Sequence, residues 1–408
     1  MTTVALTTAR RTCGCMLAAT LALGACADDA PADQDPVASG SAPESVLSTT
    51  APATTVLATT VPDTTVPDTT VPDTTVPTTA PTTAPDTTVP APFPAGADGA
   101  PAIYDATRAA FGALTGGDVA VSLSVWRDGV PVLQLAHGEA RSGAPLTTGS
   151  PMVIASVSKL VTALTIARLG EAGLVDVGAP VPWVDLGFEP HLSWHDVTVR
   201  ELLDHTSGMP IARQRWLDDP GPCSIPLGEV MTGPPTGDRG RWVYSNGNYC
   251  ALGLLVDAVT GDRYDVAARR FVFAPVGVDG PRLTLDGAAP SDGPYGRGVA
   301  RFDRLGGAGS WLAGTDHVAA VLDGVTDRDL ETLRWPGIFR DQYGWGHTGS
   351  VAGATACAWT LEQGRTAVAA TVAGGRPSTG GAVCDAILPA LSSDLGLGDL
   401  GRPDRSPP

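Results

Sequence analysis

The chain contains a single lysine: of its 26 Lys and Arg residues, only Lys159 is a lysine. It lies three residues after a serine, in Ser156-Val157-Ser158-Lys159. Arginine keeps its proton at any accessible pH, whereas a lysine withdrawn from water can accept one. Serine is a weak nucleophile at neutral pH and needs a base within hydrogen-bond reach. At the start of a helix the Ser156 hydroxyl would sit near exposed backbone N–H groups and the positive end of the helix dipole. Lys159 would then lie one turn on, along the same face. The chemistry open to this pair is attack of the serine on a carbonyl carbon, with the lysine moving the proton. Ser-x-x-Lys is a short pattern that chance alone produces, and a coding bias against lysine thins that residue everywhere, so the pair needs partners.

Two later stretches offer them. Tyr244-Ser245-Asn246 combines a phenol with an amide. A tyrosine titrates near 10 in isolation, an adjacent ammonium lowers that value, and an asparagine both donates to and accepts from a substrate amide. Read alone, the tripeptide is a turn. Gly346-His347-Thr348-Gly349-Ser350 places donors for a carboxylate among glycines that let backbone approach a ligand. His137, His191, His195 and His317 read as structural, and no metal-ligand spacing is visible, so neither a metal nor a cofactor is expected.

These residues need rigid elements. A helix is expected over 103–114, ended by Gly116-Gly117, then strands over 119–126 and 130–136 around the turn Arg127-Asp128-Gly129. Ser156 through Leu169 reads as a helix. About 174–300 is rich in Pro, Gly and short helical runs. Strand patterns return at 354–361 and 366–372 around Glu362-Gln363-Gly364-Arg365, and a helix from about 382 to 391 closes the pattern. The fold class is α/β: an antiparallel sheet with helices packed on both faces plus an inserted, mostly helical domain over about 174–300.

The N-terminal quarter is of another kind. Residues 1–25 read as an export signal, with Arg10 and Arg11 before the short apolar run 16–23, and Leu23-Gly24-Ala25-Cys26 resembles a bacterial lipobox, which implies lipidation of Cys26. A cleaved signal and a secreted protein are the alternative. Residues 26–97 form a Thr/Pro-rich tether in which Val61-Pro62-Asp63-Thr64-Thr65 recurs at 66–70 and 71–75. Proline in every unit prevents a core and favours extended chain, so about 70 residues reach roughly 200 Å. The folded domain is expected over 98–397, with a short disordered tail at 398–408. The net charge of −17 argues against nucleic acid and anionic lipid surfaces as partners, leaving the membrane to be met only through the N-terminal lipid. Four cysteines in the body, Cys223, Cys250, Cys357 and Cys384, suggest two disulfides in an exported protein. Three connectivities are open, and sequential pairing, 223–250 and 357–384, is the expected one.

In this order, Ser156-x-x-Lys159, Tyr244-Ser245-Asn246 and His347-Thr348-Gly349 resemble the three motifs of the serine beta-lactamase and penicillin-binding-protein superfamily. The tyrosine motif points to the branch of class C beta-lactamases, D-alanyl-D-alanine carboxypeptidases and related esterases. Residues 197–208, ending in His205-Thr206-Ser207-Gly208, and Gly306 to Ala313 agree, and the resemblance covers about 101–394. It implies a nucleophilic Ser156 that forms an acyl-enzyme, with Lys159 and Tyr244 sharing the proton transfers and Asn246 holding the substrate amide. It further implies that His347, Thr348 and Gly349 line the opposite wall, with the first two binding a carboxylate, and that the N–H groups of Ser156 and Ser350 form an oxyanion hole. His205 to Gly208 is structural in this reading. Histidine in the third motif resembles the secreted actinomycete DD-carboxypeptidases. The implied substrate is a peptidoglycan stem peptide or a related small amide or ester, with beta-lactam antibiotics as acylating ligands. An esterase, a beta-lactamase, and a non-catalytic penicillin-recognising or wall-binding module remain as alternatives. One departure stands out: Tyr343-Gly344-Trp345-Gly346 runs straight into His347, where the branch has a further strand and loop, so one strand is missing or fused.

Overall fold

Strand β1 (Ala120–Arg127) alternates large apolar residues with small and polar ones, and the sheet it builds is covered on both sides. Val121, Leu123 and Val125 face one apolar cluster, whereas the hydroxyls of Ser122 and Ser124 lie 2.7 and 3.1 Å from Thr315 Oγ1 on the other side. Strands β8 (Ala354–Leu361) and β9 (Thr366–Ala373) are buried along their whole lengths, the signature of a sheet sandwiched between helices.

The computed structural model describes residues 104–140, 143–210, 221–283, 302–333, 339–340, 344–374 and 377–398. The leader with Cys26, the tether and the tail beyond Gly398 lie outside them. Among the described residues, no helix is long and apolar enough to cross a membrane.

The main sheet has six antiparallel strands in the order β2-β1-β9-β8-β7-β6, where β2 is Val130–His137, β6 is Phe339–Arg340 and β7 is Trp345–Val351. Asp128 and Gly129, both at positive φ (52° and 84°), make the two-residue turn between β1 and β2. Pairing of β1 with β9, from Ala120↔Ala373 to Arg127↔Thr366, closes the N-terminal hairpin onto the C-terminal one. Helices α1 (Asp105–Leu114) and α9 (Gly380–Asp394) cover one face through Phe111, Leu114, Val383, Ile387 and Leu391. The opposite face is paved with alanines, among them Ala356, Ala358, Ala367 and Ala369, whose small side chains let other helices approach closely. Helix α2 (Ser158–Glu171) lies in that second core and is buried nearly all round, including Lys159.

The middle of the chain supplies α3 (Val199–Leu203), α4 (Ser224–Met231), α5 (Asn246–Thr260) and α6 (Tyr264–Ala268). Helices α7 (Thr315–Asp323) and α8 (Asp327–Leu333) follow. A second sheet, absent from the sequence reading, joins β3 (Met152–Val153), β5 (Trp311–Ala313) and β4 (Arg282–Leu283). Strands of two or three residues show no periodicity, so their sequence carries no signal. The segment before His347 belongs to the third-motif strand itself: Trp345 and Gly346 begin β7 and pair with Arg340 and Phe339. The strand expected to be missing or fused ahead of the motif is therefore present, and Phe339 and Arg340 are its described residues.

Both disulfides follow the sequential pairing. Cys223–Cys250 ties α5 to the residue preceding α4, and Cys357–Cys384 ties β8 to α9. Each closes a loop of 27 residues in sequence separation, for which the chain-entropy argument gives about 3–4 kcal/mol. The double variant Cys357→Ala/Cys384→Ala is therefore expected to lower the unfolding free energy by about 3 kcal/mol in urea titration under oxidising conditions. The same stability with and without the bridge would show that α9 is held by packing alone.

Candidate active site

Three short structures converge on Lys159. Ser156 lies in a 3-10 turn, Ala155–Val157, that runs directly into α2. Ala155 has φ of +46°, a left-handed conformation that costs a non-glycine residue on the order of 1 kcal/mol and turns the chain sharply ahead of the serine. The turn is held from outside: Trp311 N–H donates to Ser158 Oγ at 3.1 Å, and Ile154 N–H to Trp311 O at 3.3 Å. Ser156 and Ser350 are half-buried, whereas Lys159, His347 and Thr348 are fully buried.

The lysine side chain ends among three oxygens. Its Nζ lies 2.7 Å from the Ala308 carbonyl, 2.8 Å from Asn246 Oδ1 and 3.3 Å from Ser156 Oγ. The first two oxygens only accept hydrogen bonds, while a hydroxyl both donates and accepts. An ammonium can therefore donate to all three. A neutral amine can donate to Ala308 and Asn246 and turn its lone pair to the Ser156 hydroxyl. The cage accommodates both protonation states without rearrangement, as a group that exchanges a proton with Ser156 requires.

The Tyr244 ring stands over the amine, with Nζ 4.8 Å from the ring centroid, and the Tyr249 ring lies 5.7 Å away. Asn246 is the first residue of α5, whose cap is Ser245: its Oγ accepts from Gly247 N–H at 3.2 Å and donates to Pro210 O at 2.6 Å. The Ala308 carbonyl is set by a buried relay. Thr162 Oγ1 donates to Gly307 O at 2.6 Å, Tyr264 OH is 2.6 Å from Thr162 Oγ1, and Trp311 Nε1 donates to Tyr264 OH at 2.9 Å.

Strand β7 forms the other wall. His347 lies with its ring 6.1 Å from that of Tyr244, and its Nδ1 hydrogen-bonds the Thr348 carbonyl. Burial, then the nearby Lys159 charge, pushes its pKa down to about 3, so it is neutral across the physiological range. Gly349 passes so close to the serine turn that a Cβ there would lie 2.3 Å from Ile154 O and 3.2 Å from Ser156 N. A side chain at 349 would push the strand away from the serine. Ser350 Oγ accepts from Gly380 N–H at 2.9 Å, tying β7 to the start of α9.

The structure thus gathers Ser156, Lys159, Tyr244, Asn246 and the strand His347 to Ser350 in one place. Sequence reasoning missed the Ala308 carbonyl, because a backbone acceptor has no residue type to betray it; the Gly306 to Ala313 run was its only sign. Among the described residues, no group of three His, Cys, Asp or Glu side chains is placed to hold a metal.

Comparison with known proteins gives this site a family. The Beta-lactamase family model matches residues 107–386, well over half of the chain. Penicillin-binding protein 4* of Bacillus subtilis (strain 168) is 29% identical over 162 residues, 36% of this chain and 34% of that protein. The Esterase/beta-lactamase LipL of Mycobacterium tuberculosis is 31% identical over 180 residues, 42% of this chain and 40% of that protein. The matched stretches span well under half the length of those relatives. In three dimensions the chain resembles the octameric penicillin-binding protein homologue from Pyrococcus abyssi, with TM-score 0.59, 19% identity, and 72% of this chain and 77% of that one covered. It also resembles the D-amino acid amidase from Ochrobactrum anthropi SV3, with TM-score 0.57, 19% identity, and 71% and 99% covered. At such identities these two likenesses speak to fold, and the fold they share is the beta-lactamase/transpeptidase one. With all three motifs inside the matched stretch, the chain belongs to the Beta-lactamase family, within the superfamily of serine beta-lactamases and penicillin-binding proteins.

Proposed function

We propose that this protein is an envelope serine hydrolase of the D-alanyl-D-alanine carboxypeptidase type, lipid-anchored at Cys26 and acting through an acyl-enzyme on Ser156. One observation carries the reading: the only lysine of the chain is fully buried, with Nζ 3.3 Å from Ser156 Oγ and fixed acceptors on its other sides. Ser156 attacks the substrate carbonyl while Lys159 and Tyr244 take its proton and deliver it to the leaving amine. The N–H groups of Ser156 and Ser350 hold the developing oxyanion, and the close pass of Gly349 keeps them on one side of the carbonyl. Asn246 binds the substrate amide through the part of its side chain not engaged by Lys159. Water then resolves the acyl-enzyme along the same proton path. The leader and tether would carry the domain off the membrane toward peptidoglycan.

A second reading, esterase or beta-lactamase, has its own support. His347, neutral above a pKa of about 3, offers a substrate carboxylate a dipole rather than a charge. A site without a cation at this place accepts esters and amides that lack a free carboxylate. A non-catalytic binding module has no use for a proton-exchanging cage around Lys159.

Incubation with a labelled penicillin followed by peptide mass spectrometry is expected to show one adduct, on Ser156, that persists for many minutes. Rapid turnover would assign the chain to the lactamases, and ester hydrolysis without any adduct to the esterases. Lys159→Arg keeps the charge but removes the proton acceptor, so acylation is expected to fall by roughly 100- to 10,000-fold in protein that still unfolds cooperatively. Near-normal acylation would mean that Lys159 supplies charge alone. Because His347 is already neutral at pH 5, KM for a carboxylate-bearing substrate is expected to stay flat between pH 5 and 8. A KM that drops steeply on acidification through pH 6.5 would show instead that a protonated His347 binds the carboxylate.

A further inference from the structure

His205 belongs to the His205-Thr206-Ser207-Gly208 run and takes no part in the reaction proposed above, yet it lies directly behind the tyrosine. It is buried, 1% exposed, with φ of +56°. Its ring is 4.7 Å from that of Tyr244 at an angle of 38°, and 5.1 Å from that of Tyr249. Its Nδ1 is approached by two donors, Ser245 N–H at 3.3 Å and Asn248 Nδ2 at 3.0 Å. The orientation of the Asn248 amide follows from Ser207 Oγ, which donates to Asn248 Oδ1 at 2.6 Å. With Oδ1 so engaged, the amide turns its NH2 to the imidazole, which fixes the tautomer with the proton on Nε2. The backbone adds a further tie, Val243 N–H to His205 O at 2.8 Å.

We propose that His205 is the positioning residue of this site, holding Tyr244 over Lys159 by accepting the Ser245 N–H next in sequence and by backing the tyrosine ring. A neutral imidazole is required, because a protonated Nδ1 would point a hydrogen at two donors. Burial, then the charge of Lys159, keeps the His205 pKa well below the ordinary 6.5. The positive φ narrows the replacements. Asparagine tolerates the left-handed region and carries an acceptor oxygen where histidine has Nδ1, whereas alanine offers neither advantage.

The inference rests on the assignment of Tyr244 to proton transfer, and a double-mutant cycle separates the two. Acylation of Ser156 by a labelled penicillin and turnover of a p-nitrophenyl ester are measured for His205→Ala and His205→Asn, each with Tyr244 and with Tyr244→Phe. Melting temperature is recorded throughout. His205→Ala is expected to lower acylation on the order of 100-fold by misplacing the phenol, and His205→Asn to recover most of that loss. In the Tyr244→Phe background either change is expected to add less than about 5-fold. Losses that multiply in the Tyr244→Phe background, or that follow melting temperature alone with no recovery by asparagine, would overturn the positioning role. Should His205→Ala fail to fold, His205→Gly, which tolerates the positive φ and equally lacks the acceptor, takes its place in the cycle. Tyr244→Phe with native activity would overturn the tyrosine assignment itself, and with it the role of His205.

Discussion

The site depends on a lysine amine held out of water by three oxygens. Burying an ammonium is costly unless it is paired or fully hydrogen-bonded. The protein surrounds Nζ with the Ala308 carbonyl, Asn246 Oδ1 and the Ser156 hydroxyl. Each oxygen comes from a different part of the chain, so forming the cage requires the whole domain. The serine arrives on the turn ahead of α2, the asparagine on the first turn of α5, and the carbonyl on the glycine-rich stretch leading into β5. All three are neutral acceptors, and a neutral acceptor leaves an amine able to give up its proton, as the proposed chemistry requires.

The rest of the architecture reads as support for those three approaches. Buried α2 carries the serine and lysine on a helix with little room to move, and the small sheet joins the serine turn to the segment bearing Ala308. The main sheet places β7 alongside the serine at the point where Gly349 allows contact. The two disulfides flank the site at one remove, one anchoring α5 one turn beyond Asn246 and the other anchoring α9 against β8. One restrains the helix that carries Asn246, and the other restrains the strand and helix that hold β7 from its neighbours.

Much of this was legible in the residues and some of it was not. Lys159 stands out by rarity and Ser156 by spacing, and the order of the tyrosine and histidine stretches supplies their partners from sequence alone. The two hairpins, β1–β2 around Asp128-Gly129 and β8–β9 around Glu362 to Arg365, were visible because runs of seven or eight strand-forming residues bounded by turn residues are a strong signal. The small sheet was invisible because two-residue strands have no period. Ala308 was missed because a carbonyl oxygen is common to every residue, and its role depends on where Thr162, Tyr264 and Trp311 fix the backbone. The direct run from Tyr343 to His347 suggests a missing or fused strand, but Phe339 and Arg340 form a separate strand ahead of the motif and pair with Trp345 and Gly346 of β7.

The rarity of lysine also makes the central claim directly observable. In protein produced with lysine labelled by nitrogen-15 at Nζ, the domain contains one labelled side chain, so one side-chain resonance reports on the cage. If Lys159 exchanges its proton with Ser156 beneath Tyr244, that resonance is protected from solvent exchange and moves both on acylation of Ser156 and in Tyr244→Phe. A resonance that exchanges rapidly with water and ignores both changes would contradict the account.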